Sequence, residues 1–234
     1  MKNKILNMSD AENLDSLFAQ MASRSVNPES SGETPEEICQ LGLEYKFDDE
    51  FQRAFVCFRK AAEIGYAEAQ FWLGMCYANG EGVAQNHEKA FEWFQKAADQ
   101  GDAEAQCEVG VYYANGEGVA QDSKKAFDWF QKSANQGNAE GQFNVGMCYA
   151  NGDGVAQDLK KAFEWYQKSA NQGNAEAQCE VGLCYQEGIG VVRNPKKAFA
   201  WLQKSADQGN DEAQWLVGMC YANGDGVAQD LKKA

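Results

Sequence analysis

The sequence predicts an all-α protein of stacked helical hairpins, and the main reason is a pattern that repeats every 36 residues. Two glycines and one tryptophan of the repeated unit keep this step along most of the chain. They are Gly74, Gly110, Gly146, Gly182 and Gly218; Gly101, Gly137, Gly173 and Gly209; and Trp93, Trp129, Trp165 and Trp201. Proteins of this kind usually present a long surface to a partner instead of enclosing one reactive pocket.

Residues 1–33 precede the regular pattern and predict a short amphipathic helix followed by a linker. A capping-box pattern at Ser9–Glu12 opens the helix, which we expect over residues 10–22. Its apolar side chains follow helical spacing at Leu14, Leu17, Phe18 and Met21. Residues 23–33 have the composition of a flexible linker. Two interpretations stay open, because the helix could cap the first hairpin or could serve as a docking helix or an export signal.

Residues 34–66 predict an atypical first repeat with a shortened turn. Its Leu-Gly pair lies 32 residues before the pair that begins at Leu73, whereas Phe55 lies 36 residues before Phe91. Four residues are therefore missing between its two helices. The capping-box pattern Thr34–Glu37, with proline at the first helical position, starts the first of them.

Four full repeats follow, at residues 67–102, 103–138, 139–174 and 175–210. In each, a glycine-rich turn separates a first helix, such as Ala67–Asn79, from a second helix. Asparagine or aspartate, the preferred N-cap types, precedes every second helix, at Asn86, Asp122, Asp158, Asn194 and Asp230. The glycines at Gly101 and its equivalents predict left-handed C-caps. The next first helix is then capped by Asp102, Asn138, Asn174 or Asn210.

Helical-wheel geometry assigns a packing half to each helix of the unit. Small residues on the first helix, among them Ala69, Gly74 and Cys76, allow a close approach of the second helix. Aromatic residues of the second helix then fill the interface, and on this basis Trp129→Ala should cost roughly 3–5 kcal/mol of stability.

Residues 211–234 form a truncated repeat, in which a helix over residues 212–223 lacks its second helix. We expect the array to continue beyond Ala234, because a solenoid usually ends in a polar cap. The apolar face left open at this end offers a route to self-association.

Charge and hydropathy limit the classes of partner. The net charge of -14 provides no basic face for phosphates, so we expect no nucleic acid. The sequence contains no run of about 18 apolar residues, so we expect no membrane insertion. The first 25 residues lack the uninterrupted apolar run of a secretory signal, so we expect a cytoplasmic protein, with non-Sec export as the alternative.

The eight cysteines predict free, mostly buried thiols. Six occupy two equivalent positions on first helices: Cys76, Cys148, Cys184 and Cys220, and Cys107 and Cys179. Equivalent points on neighbouring helices are roughly 8–10 Å apart, which exceeds the reach of a disulfide. Buried free thiols are typical of a reducing compartment.

The pattern AEAQ..LG..Y.NG.GV..D..KAF.W.QK.A.QG over residues 67–234 closely resembles the Sel-one-like repeat (SLR) family, a relative of the tetratricopeptide repeats. The resemblance implies a right-handed superhelical α-solenoid of antiparallel helix hairpins. It also implies a bacterial or eukaryotic scaffold that serves as an adaptor for other proteins.

In related helical-repeat proteins, one face of the first helix lines a concave groove, and we call the corresponding positions here the first-helix row. The row comprises Glu68, Phe71, Trp72, Met75 and Asn79; Glu104, Cys107, Val111 and Asn115; Glu140, Phe143, Met147 and Asn151; Glu176, Cys179 and Leu183; and Trp215, Met219 and Asn223. Its composition alternates with a step of 72 residues. Apolar anchors flanked by Glu and Asn suit a peptide or helix with basic flanks. Burial of the same side chains against neighbouring first helices remains the alternative.

No residue pattern predicts catalysis, a cofactor or a metal site. His87, the only histidine, has no nucleophile or metal-ligand partner at a familiar spacing. The turn NGDGVAQD lacks the calcium and phosphate ligands of similar loops. We therefore predict a non-enzymatic protein–protein interaction scaffold, with a secreted effector or host-contact protein as the alternative. A hydrolase like the β-lactamase-labelled SLR proteins is least favoured, because those pair cysteines between the two helices of each unit.

Overall fold

The computed structural model describes residues 32–234, and that part of the chain forms eleven α-helices and no strand. Each helix has 13 residues: α1 Pro35–Phe47, α2 Phe51–Glu63, α3 Ala67–Asn79, α4 His87–Asp99, α5 Ala103–Asn115, α6 Ser123–Asn135, α7 Ala139–Asn151, α8 Leu159–Asn171, α9 Ala175–Glu187, α10 Pro195–Asp207 and α11 Asp211–Asn223. The prediction of an all-α fold of helical hairpins is confirmed. The helix predicted over residues 10–22 lies outside the described residues.

The described chain divides into two compact units. Unit 1 comprises residues 32–105 and 116–120, and unit 2 comprises residues 106–115 and 121–234. Within unit 1 the helices α1 to α4 pack in sequence, and within unit 2 the same holds from α6 to α11. The first hairpin has three residues, Asp48–Glu50, between its helices, whereas the second hairpin has seven.

The predicted caps are formed by short-range hydrogen bonds that the local sequence specifies. The Asp158 carboxylate accepts from the backbone N–H of Lys161 at 3.0 Å, and its equivalents Asn86, Asp122 and Asn194 do the same. Thr34 and Glu37 complete the predicted capping box. Asp230 differs, because the residues after it form a turn and not a helix.

A glycine of the first helix receives a large side chain of the second helix in each regular hairpin. A Cβ added to Gly146 would lie 2.5 Å from the ring of Tyr166, and Gly110 meets Phe130 in the same way. This contact explains why glycine recurs at this position, since any side chain would force the two helices apart. The interior row is thus Phe94, Phe130, Tyr166 and Leu202, all of them buried.

Trp129 lies outside that interior row and is only half-buried. The Lys132 ammonium sits 3.4 Å from the centre of its ring, and the other regular repeats have the same pair. The loss of 3–5 kcal/mol predicted for Trp129→Ala applies to a fully buried ring, and we expect a smaller loss here because part of the ring contacts solvent. Trp93, Trp165 and Trp201 each pack against a cluster of buried core residues and also hold a lysine over the ring.

The second glycine of each turn touches the start of the preceding second helix. Gly154 has φ +70°, and a Cβ added there would overlap the carbonyl oxygen of Ser123. Gly82 stands in the same relation to the carbonyl of Phe51 in unit 1. Only glycine permits this close approach in a left-handed conformation, so the turn joins one hairpin to the previous one through backbone atoms.

Buried glutamines form a second set of joints, which the sequence did not lead us to expect. Gln142 on α7 accepts a 2.9 Å hydrogen bond from the Gln172 side chain and donates to the carbonyl of Ala134. It thereby ties together the ends of α6, α7 and α8. Gln70 and Gln178 make equivalent bonds to Ala62 and Ala170. The recurring AEAQ and QG segments carry this signal.

Candidate binding surface

Cations and carboxylates are distributed differently over the two kinds of helix in the regular repeats: carboxylates occur on both, whereas cations occur only on the second helices. The first helices of the regular repeats, α3, α5, α7, α9 and α11, contain carboxylates but no lysine, arginine or histidine. In the four full repeats the lysines lie on the second helices, and many of them cover aromatic rings. Lys161, for example, lies over the ring of Tyr149 at 5.1 Å. The surface of the first helices is consequently anionic.

The polar members of the first-helix row occupy the two exposed ends of their helices. Glutamates are exposed near the amino-terminal ends, at Glu68, Glu104, Glu140 and Glu176. Asparagines are exposed at the carboxyl-terminal ends, at Asn79, Asn115, Asn151 and Asn223. Carboxylates at a helix N-terminus are favoured by the helix dipole, so part of this pattern has a purely structural cause.

The apolar members of the row are covered to different degrees. Phe71, Cys107 and Cys179 are buried, so the alternative of burial describes these three positions. The Phe71 ring lies 5.8 Å from that of Phe94, and the Asn144 amide donates to the Cys107 sulfur at 3.5 Å. The half-buried members are Trp72, Met75, Val111, Phe143, Met147 and Leu183. Trp215 and Met219 are exposed, at 65% and 43%.

Trp72 illustrates how unit 1 uses a row position for packing. Its ring stacks on that of Phe58 at a centroid distance of 6.0 Å. The Lys46 ammonium lies 5.6 Å from the same ring and forms an ion pair with Glu81. The equivalent positions in unit 2 are Glu108, Asn144, Glu180 and Leu216, which are not aromatic.

The middle of unit 2 combines apolar surface with a partly desolvated carboxylate. The Phe143 ring lies 5.8 Å from that of Tyr166, whose hydroxyl donates to the Met147 sulfur at 3.1 Å. Nearby, burial raises the pKa of Glu180, and the charge of Glu212 raises it further. A carboxylate held in such surroundings is stabilised by an added cation.

The thiols have the environment of core residues. All eight cysteines are buried and free, as the sequence predicts. Burial raises the pKa of Cys148 and of Cys184 to about 11, and that of Cys179 to about 12. Thiols in this state are poor nucleophiles, because the reactive form is the thiolate.

The remaining residues considered for catalysis or metal binding do not form a site in the part of the chain that the structure describes. His87 Nδ1 lies 3.7 Å from the Glu117 carboxylate on a half-exposed surface. Over residues 32–234, no three histidine, cysteine or carboxylate side chains are placed to hold a metal ion. Within the same residues, every helix is too short or too polar to span a bilayer.

Comparison with known proteins gives a consistent result. A family model described as Sel1 repeat matches residues 40–66, 67–102, 103–138, 139–174, 175–210 and 211–234. The chain is 38% identical to c5321 of uropathogenic Escherichia coli, described as a protective antigen displaying an SLR fold, with a TM-score of 0.78 over 94% of this chain and 46% of that one. It spans about half the length of that relative.

A second solved structure, a Sel1 repeat protein from Oxalobacter formigenes, is 31% identical, with a TM-score of 0.72 over 83% of this chain and 80% of that one. No protein with a curated description matches the chain.

Proposed function

Since the chain belongs to the Sel1 repeat family, whose proteins generally act as scaffolds for other proteins, we propose that it is a non-enzymatic adaptor. Its partner is a peptide or helix of another protein that lies along the first-helix row of unit 2. The observation that carries this proposal is the absence of cations from the first helices of the regular repeats. The row places carboxylates beside half-buried apolar side chains, on helices without a single cation.

Partial burial suits the apolar positions for recognition. Phe143 and Met147 are held in place by Tyr166, so a partner that covers them does not have to order flexible side chains. Anchors that are fixed before binding and then shielded from water carry most of the affinity of an interface.

The charge of the row defines the flanks of the partner. A lysine or arginine placed between Glu176 and Glu180 would meet carboxylates that have no cation on their own helix. The net charge of -14 also speeds the encounter with a basic segment. The proposed ligand is therefore a segment with apolar anchors between basic residues.

Selection from a random peptide library displayed on phage, with the full chain immobilised, tests this proposal. We expect the selected peptides to be enriched in lysine and arginine around leucine, phenylalanine or tryptophan. Binding of the synthetic peptides is then measured by fluorescence polarisation. Glu176→Gln combined with Glu180→Gln should weaken it about tenfold, as expected for the loss of two charge contacts.

Glu164→Gln is the matched control, because Glu164 is exposed on the second helix α8. It should leave the affinity unchanged. Peptides that bind the double variant as well as the natural chain, or that lose affinity with Glu164→Gln, would show that the row is not the binding surface.

The same surface could act outside the cell, and one comparison favours this second candidate. The 38% identical relative from Escherichia coli is described as a protective antigen. If the candidate holds, fractionation of the source cells will recover the intact chain from the medium or the cell surface. Recovery from the cytosol alone contradicts it.

A further inference from the structure

One turn of unit 2, residues 188–194, presents apolar side chains to solvent. Val192 is 85% exposed and Ile189 is 42% exposed. A Cβ added to Gly190 would overlap the carbonyl oxygen of Leu159, so the turn lies against the start of α8, and Leu159 is itself 43% exposed. We call these three side chains the apolar edge. Exposed apolar surface rimmed by polar groups usually marks a site of contact.

The sequence of this turn departs from that of its four equivalents. Ile189 stands where the others carry a carboxylate, at Glu81, Glu117, Asp153 and Asp225. Val192 and Arg193 stand where the others have alanine and glutamine. The other turns make the same glycine contact with the preceding second helix. Packing between repeats therefore does not require the three changes, and a contact with another molecule gives them a cause.

Arg193 adds a positive charge to the turn without altering its structure. Its Nε donates to the carbonyl of Gln186 at 2.8 Å. Glutamine makes the equivalent bond in the other turns, as Gln157 does to Ala150 at 2.7 Å. Because the bond uses Nε, the two terminal nitrogens of the exposed guanidinium can meet a carboxylate.

Lysines extend this charge along the apolar edge. The exposed Lys160 follows Leu159, and the exposed Lys196 lies shortly after the turn. Carboxylates are also present, since Asp158 precedes Leu159 and Glu187 precedes the turn. Asp158 is engaged as the N-cap of α8, so cations are in excess around the exposed apolar side chains.

We propose that the apolar edge of one copy of this chain binds the first-helix row of unit 2 in a second copy. This inference rests on the function proposed above for that row, whose ligand has apolar anchors between basic residues. Residues 189–196 have this chemistry, with Ile189 and Val192 as anchors and Arg193 and Lys196 as flanks. The charges are complementary, because α7, α9 and α11 of the second copy carry carboxylates and no cation.

The size and symmetry of the contact define the expected assembly. Three apolar side chains form a small interface, so a single contact is weak. Two copies related by a two-fold axis make the contact twice, from each edge to the row of the other copy. The expected product is a dimer whose population rises with protein concentration.

Sedimentation equilibrium of the full chain tests the proposal. We expect the weight-average mass to rise from that of one chain towards that of two between micromolar and submillimolar concentration. The variant Ile189→Asp/Val192→Ala/Arg193→Gln gives this turn the sequence of residues 152–157, which fold into the equivalent turn of the same chain. It should weaken the dimer about tenfold or more, since it removes both anchors and a flanking cation.

Asp225→Glu is the matched control, because it converts another turn to the sequence of residues 116–121. It should leave the dissociation constant of the dimer unchanged. The row variant Glu176→Gln/Glu180→Gln should weaken the dimer as the turn variant does. An equal mixture of the turn and row variants should form more dimer than either variant alone, because one intact edge then meets one intact row.

Three results would overturn the proposal: a chain that stays monomeric, a turn or row variant that dimerises as well as the natural chain, or a mixture with no more dimer than its components. A monomeric chain would favour an acidic segment of another protein as the occupant of the apolar edge. In each case the peptide affinities of the row variant still decide the proposed function, so the two failures are distinguishable.

Discussion

The glycines that contact the interior row and the residues of the first-helix row lie on the same helices but follow different rules. In unit 2, Gly110 and Gly146 keep the same close contact with a buried ring every 36 residues. The first-helix row changes from Phe143 to Cys179 over the same step and returns to an aromatic residue at Trp215. Packing between helices tolerates little change, whereas a binding surface is free to vary. The difference separates the residues that set the fold from those of the proposed binding surface.

The largest effect should come from removing an interior ring. Phe130→Ala should cost about 3–5 kcal/mol, because the side chain is buried and leaves a cavity beside Gly110. The adjacent Trp129→Ala should cost only about 2 kcal/mol, since the ring is half-buried and the pair with Lys132 adds little. Urea unfolding followed by circular dichroism measures both, and equal losses would erase the distinction between the interior row and the outer tryptophans.

A smaller effect is expected at the turn, where two neighbouring glycines differ. Gly154→Ala should cost about 3 kcal/mol or more, because it adds an overlap with the Ser123 carbonyl to the cost of a left-handed alanine. Gly152→Ala should cost only about 1–2 kcal/mol, since the nearest atom to its added Cβ is 3.5 Å away. If both variants unfold at the same urea concentration, the contact between the turn and the preceding helix contributes nothing.

The smallest change in stability expected at a single residue comes from ionisation of a buried thiol. The thiols also provide a test of whether the first-helix row opens to solvent. Burial raises the pKa of Cys148 from 9.0 to about 11. The unfolded chain therefore loses this proton at a lower pH than the folded chain does. The contribution of the buried thiol to the unfolding free energy is complete below pH 9.0 and is lost as the pH rises toward the folded pKa. The loss is on the order of 1 kcal/mol per thiol. Cys148→Ala should flatten the fall in unfolding free energy between pH 8 and pH 10.

Cys107 and Cys179 provide the comparison within the row. Their burial predicts labelling by a thiol reagent as slow as that of Cys148 in the folded chain. Selective fast labelling of these two, located by mass spectrometry, would show that the row opens to solvent while the interior stays closed.

Local structure was predictable from the sequence because its causes are local. Asn86 and Asp158 identify helix starts through bonds to the backbone three residues later. The burial of Phe71 and Cys107 was left open, because it depends on how closely neighbouring helices pack. Gln142 was missed for a related reason: a glutamine is usually exposed, and its partners come from two other helices. The sequence therefore predicts the hairpins more securely than it predicts which residues of the first-helix row are exposed.

The joint at the second glycine of each turn has an evolutionary consequence. The residue whose carbonyl it meets is Phe51, His87, Ser123, Leu159 or Pro195 in successive repeats. Five different residue types are compatible with the same contact, because it involves the backbone carbonyl and not the side chain. A whole unit can therefore be duplicated or lost by recombination without redesigning the junction. Array length, and with it the length of the proposed binding surface, can then change among descendants in steps of one repeat.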